Sequence, residues 1–128
     1  MKNAKILFVD DEEVLRKLGR RLLAGTYDVS FASGMAEALE IIAGQSLDLL
    51  ITDWRLQDGE GSAVIGAFGR KFPGAPCILI TGFLDTEEFL RASAGFQFAA
   101  RFQKPFNIME FQEAVRRALL EADPGKAL

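Results

Sequence analysis

Short runs of consecutive apolar residues alternate along this chain with segments whose apolar residues recur every three or four positions. Ile6-Leu7-Phe8-Val9 is the first run and reads as a strand buried on both faces. From Glu12 onward, Val14, Leu15, Leu18, Leu22 and Leu23 recur at helical spacing and predict an amphipathic helix with that stripe inward. A second strand is expected over residues 27–32, followed by a helix that Ser33 caps and that turns Ala36, Leu39, Ile41 and Ile42 inward. Residues 47–52 form a third apolar run. A loop over Asp58-Gly59-Glu60-Gly61 leads to a helix over 62–72, closed by Pro73-Gly74. Residues 77–81 are the fourth strand. Asp85 or Thr86 opens a fourth helix that ends near Gly95. A fifth strand lies around 99–103, and Asn107 caps a last helix with Phe111, Val115 and Leu119 inward.

Continuous apolar strands set between amphipathic helices imply a parallel sheet covered on both faces. With right-handed crossovers the expected architecture is α/β: a flavodoxin-like, doubly wound (βα)5 fold with strand order 2-1-3-4-5. Residues 1–122 are expected to form one domain, and 123–128, which hold Pro124-Gly125, a frayed tail.

Composition narrows the chemistry. The chain of 128 residues has no histidine, which excludes His-ligated metal sites, His general bases and Ser-His-Asp triads. One cysteine, Cys77, allows no internal disulfide and is expected to be buried packing; a cytoplasmic location fits. The apolar run near the N-terminus is too short for a signal-peptide core or a membrane span. A net charge of −3 with scattered basic residues argues against direct nucleic-acid binding.

In a sheet of this kind ligands bind beyond the carboxyl ends of the strands. Those ends read Val9-Asp10-Asp11-Glu12, Thr52-Asp53, Thr81-Gly82 and Gln103-Lys104. Taken singly, an Asp after a strand is a helix cap, a Thr a strand former and a Lys a surface charge. Taken together, Asp10, Asp11 and Asp53 crowd at one place with Thr81 and Lys104 opposite. Crowded carboxylates require a proton or a cation, and hard oxygen ligands suit Mg²⁺. One metal, one Lys and one hydroxyl suit a phosphoryl group, with Asp53 as the nucleophile.

These segments resemble the receiver domain of two-component response regulators from about Lys5 to Leu120. The pieces are Phe8-Val9-Asp10-Asp11-Glu12, Asp53-Trp54-Arg55-Leu56 with Gly61 eight residues after Asp53, Ile80-Thr81-Gly82 and Lys104-Pro105-Phe106. The resemblance implies that Asp53 accepts a phosphoryl group from a histidine kinase or phosphotransfer protein. It implies Mg²⁺ held by Asp11 and Asp53, by the Arg55 backbone carbonyl, and by Asp10 through water. It makes Thr81 the switch hydroxyl, pairs Lys104 with the phosphoryl oxygens and makes the Lys104-Pro105 bond cis. Gln57 stands where many receivers have Pro. Arg101 stands where the family usually has an aromatic residue that turns inward, and Phe102 points to the opposite face. Arg55 and Phe83 are expected to shield the phosphoryl group from water.

The expected function is therefore a phosphorylation-controlled switch. It would act on a downstream protein through the surface of the fourth helix, fifth strand and fifth helix, at Phe96, Phe98 and Arg101, without nucleic acid or membrane. Ending after its fifth helix, the chain reads as a single-domain regulator or a receiver cut from a larger protein. Two alternatives differ in class. A phosphatase with an Asp nucleophile wants a second Asp two residues on, where Arg55 stands. A binding module would keep the fold without being phosphorylated.

Overall fold

The computed structural model describes residues 3–82 and 86–122. In chain order the elements are β1 (Lys5–Val9), α1 (Glu13–Leu23), β2 (Asp28–Ala32), α2 (Met35–Gly44), β3 (Leu49–Thr52), β4 (Arg55–Leu56), β5 (Gly59–Glu60), α3 (Gly61–Lys71), β6 (Cys77–Thr81), α4 (Glu87–Ala92), β7 (Ala100–Gln103) and α5 (Ile108–Ala122). β2, β1, β3, β6 and β7 lie side by side in that order, every neighbouring pair parallel. Counted along the chain without the β4–β5 ladder, this is the expected order 2-1-3-4-5. The ladder is a small antiparallel pair in what reads from sequence as a loop.

Strand alternation sorts the core into two layers. Leu7 and Val9 of β1 and Leu79 of β6 face a layer filled by Ala38 and Ile42 of α2, Val64 and Phe68 of α3 and Phe89 of α4. Ile6, Phe8, Ile78 and Ile80 face the other layer, filled by Leu23 of α1 and Phe111, Val115 and Leu119 of α5. Each of these side chains larger than alanine contributes roughly 1.5–3 kcal/mol by burial. Ala100 and Phe102 pack in the second layer and Arg101 between them is exposed, as alternation along β7 requires, while Phe98, ahead of the strand, packs against the first layer. Cys77 is buried, and burial pushes its thiol up to about 12, consistent with packing alone.

Several local expectations change. Val14 is 73% exposed, because it lies in the first turn of α1 at the open end of the sheet. Leu15, Leu18 and Leu22 are half-buried, and Gly19 and Leu23 are buried. Ser33 does not cap α2: the N-cap is Gly34, and the Ser33 N–H donates to Glu37 Oε1 at 2.6 Å. The cap comes from outside the helix. Asp58 accepts from the Met35 N–H at 2.7 Å and the Ala36 N–H at 3.0 Å. The third strand starts at Leu49, since the carboxylate of Asp48 accepts the Lys5 N–H at 2.8 Å. Thr86 caps α4, accepting from the Phe89 N–H at 3.1 Å, and the helix ends at Ala92. Asn107 caps α5 as expected, accepting from the Glu110 N–H at 2.9 Å. Phe83, Asp85 and the tail 123–128 lie outside the described residues.

Candidate functional site: an acidic cluster at the carboxyl end of the sheet

β1 and β3 are neighbours, so the polar residues that end them meet. Asp10 and Asp53 are 1% and 6% exposed, and the Asp53 N–H donates to Val9 O at 3.1 Å, which ties one strand end to the other. The Asp53 carboxylate is held on two sides. Its Oδ1 accepts from the Trp54 N–H at 2.6 Å and the Arg55 N–H at 3.3 Å; its Oδ2 faces Lys104 Nζ at 2.8 Å. Asp10 Oδ1 accepts the Glu12 N–H at 2.9 Å, while Oδ2 lies 3.0 Å from the same ammonium. Lys104 also reaches Glu12 Oε1 at 2.7 Å.

Lys104 thus supplies the cation that crowded carboxylates require. It comes from the far edge strand: its N–H donates to Thr81 O at 2.9 Å, and a cis Lys104-Pro105 bond follows it. Burial pulls the ammonium down, but its bonds to Asp53, Glu12 and Asp10 outweigh that and raise its pKa above the ordinary lysine value. Asp10 moves the other way from a typical paired carboxylate. Its burial raises it, and the Glu12 N–H and Lys104 offset that only in part.

Carboxylate oxygens of Asp10, Asp11, Glu12 and Asp53 all lie within 4.8 Å of one another. A set of only hard oxygen donors fits a small dication that keeps some of its waters. Thr81 is fully buried at the end of β6. Gly61 opens α3 directly beneath Asp53, donating its N–H to Trp54 O at 2.7 Å. A Cβ there would run into Asp53 O and lie 3.0 Å from Trp54 Cα, so only glycine lets the chain return this close to the site.

A family model of the response regulator receiver domain matches residues 6–116. The chain belongs to that family. The receiver is 34% identical over 131 residues to the response regulator protein PilR of Pseudomonas aeruginosa, covering 97% of this chain and 28% of PilR. It is 30% identical over 123 residues to the DNA-binding transcriptional regulator NtrC of Escherichia coli, covering 93% and 25%. The chain therefore spans about a quarter of the length of these relatives. Among solved structures, it resembles a CheY-like response regulator receiver domain protein from Methanospirillum hungatei, with TM-score 0.87, 26% identity and coverage of 97% and 99%. It also resembles the non-phosphorylated HemR receiver domain of Leptospira biflexa, with TM-score 0.79, 30% identity and coverage of 91% and 94%.

In this receiver Asp10, Asp11, Asp53 and Lys104 come together, and Thr81 ends the adjoining strand. Glu12 was not among the residues expected in the site. It reads locally as the start of α1, and its adjacency to Asp10-Asp11 was the available signal. The Arg55 side chain pairs with Glu88 of α4 at 3.3 Å. Phe96 and Phe98 are less available than expected: both are half-buried against the core, Phe96 with its ring 5.7 Å from that of Trp54. Arg101 is exposed, its guanidinium 5.3 Å from the Phe98 ring centre. No described helix is long and apolar enough to cross a membrane.

Proposed function

We propose that this receiver takes a phosphoryl group onto Asp53 from the phosphohistidine of a kinase or phosphotransfer protein, and that the phosphorylated form alters binding to a downstream protein. The observation that carries the reading is the Lys104 ammonium set between Asp53 and Asp10 within an all-carboxylate cluster. In the transfer, an Asp53 carboxylate oxygen forms a bond to phosphorus as the P–N bond breaks, and that electron pair stays on the imidazole. Backbone N–H groups of Trp54 and Arg55 fix the carboxylate so that attack needs no reorientation. Lys104 pairs with a phosphoryl oxygen, and the Thr81 hydroxyl donates to another. Mg²⁺ would be held by Asp10, Asp11, Asp53 and the Arg55 carbonyl; when bound it supplies positive charge to the transferring oxygens. The same arrangement supports self-phosphorylation from small donors and hydrolysis by water.

The unit would be residues up to 122, working in the cytoplasm, with Arg101 and the half-buried Phe96 and Phe98 marking the partner-facing side. Scattered basic residues and a net charge of −3 support a protein partner over nucleic acid. Incubation with a small phosphodonor and MgCl2, followed by intact-mass measurement, tests the reading. A gain of one phosphoryl group is expected. Donor turnover without modification would favour a phosphatase, and no reaction would favour a receiver-like binding module.

A further inference from the structure

The two residues that follow Asp53 touch two successive residues of α4. The buried Trp54 indole meets Phe89 edge-on, with ring centres 5.1 Å apart. Next to it, the Arg55 guanidinium lies 3.3 Å from the Glu88 carboxylate. These contacts differ in kind. The Trp54–Phe89 contact is apolar and enclosed. In the Arg55–Glu88 pair the side chains are 50% and 80% exposed, so water screens the pair and a modest competitor can displace it.

We infer that Glu88 is a positioning residue that holds Arg55 on α4 in the unphosphorylated chain, and that a phosphoryl group on Asp53 draws Arg55 off Glu88. The inference rests on the phosphoacceptor reading of Asp53. The Arg55 N–H already donates to Asp53 Oδ1, so this residue borders the acceptor and its long side chain serves either side. A phosphoryl group offers three oxygens and more charge than one exposed carboxylate, and a planar guanidinium matches it with two parallel bonds. Lys104 is committed on the opposite side of Asp53, to Asp10 and Glu12 as well as Asp53. It leaves the α4 side of the phosphoryl group to Arg55. The exchange trades the polar contact between residue 55 and α4 for one to the phosphoryl group and leaves the Trp54–Phe89 contact in place. The state of Asp53 thereby reaches the helix through residue 55. Arg101, exposed and stacked on Phe98, is not required for it.

The test is the affinity for beryllium fluoride, a phosphoryl mimic, measured by calorimetry in MgCl2 for wild type, Glu88→Gln, Arg55→Met and the double variant. Arg55→Met keeps the backbone carbonyl assigned to the metal, and both side chains are exposed enough to change without harm to the fold, which thermal melts check. Glu88→Gln should tighten binding about two- to fivefold, the range of one exposed ion pair. Arg55→Met should weaken it, and adding Glu88→Gln to Arg55→Met should change nothing more. Unchanged affinity in Glu88→Gln, or the same tightening with Arg55 absent, overturns the exchange. Wild type that binds the mimic while Glu88→Gln is flat overturns the exchange alone. Wild type that neither binds it nor gains a phosphoryl group overturns the phosphoacceptor reading, and the exchange with it.

Discussion

Asp53 stands between two regions built from different material. Towards β1 and the end of β7, its partners are enclosed. The Lys104 side chain is 17% exposed, those of Asp10 and Asp53 are 2% and 9%, and the contacts run from 2.8 to 3.0 Å. Towards α4, a helix of six residues, the described residues include the solvent-facing Arg55–Glu88 pair. Charges that are kept from water interact more strongly and are harder to part than charges at the surface. The enclosed side therefore holds Asp53 still. The exposed side is where a change of charge at Asp53 can be expressed as a change of position.

The sharpest way to break this comparison is to remove the cation on the enclosed side. Lys104→Met leaves Asp10 and Asp53 buried without their shared partner, and should cost roughly 3 kcal/mol of folding stability without metal. Urea unfolding in EDTA and in saturating MgCl2 checks it, because a bound dication would replace the lost charge. The deficit should shrink markedly with Mg²⁺; an equal deficit in both would mean that Lys104 acts through packing rather than by neutralising the cluster.

A smaller effect is expected beneath the site. Gly61→Ala drives a methyl group into the backbone of Asp53 and Trp54, neither of which is a flexible side-chain end. It should cost about 1–3 kcal/mol and slow phosphoryl acceptance by displacing Asp53, as unfolding curves and phosphorylation rates would show. Stability and rate equal to wild type would mean that the loop absorbs the change.

The smallest effect is expected at the start of α2. The N–H groups of Ala36 and Met35 hold the Asp58 carboxyl below its ordinary value of 3.8. A carboxylate whose folded value is depressed stabilises the fold above its unfolded value, and that contribution is lost as pH falls through the folded value. Asp58→Asn should lower the melting temperature at neutral pH and shrink the difference from wild type in strong acid. Parallel curves across that range would remove Asp58 as the cap of α2.

The contrast between the two regions also explains what could be read from sequence. Asp10, Asp53 and Thr81 each end an apolar run and Lys104 follows the last strand of the sheet, and a parallel sheet gathers such ends along one edge, so local pattern sufficed to place them there. Asp58 was legible only as a loop residue, because the helix it caps begins 23 residues earlier. Val14 keeps helical spacing with Leu18 but lies where no strand extends beneath it. The Arg55–Glu88 pair joins two solvent-facing residues, and nothing in the spacing of exposed charges says which will meet.

The central claim is that Asp53, among four neighbouring carboxylates, is the one that takes the phosphoryl group. Phosphorylation with a small donor and MgCl2, reduction of the acyl phosphate with borohydride, and peptide mass spectrometry locate the modified residue. The account predicts conversion of residue 53 alone, and no conversion in Asp53→Asn. Label at Asp10, Asp11 or Glu12 in wild type, or undiminished label in Asp53→Asn, would contradict it.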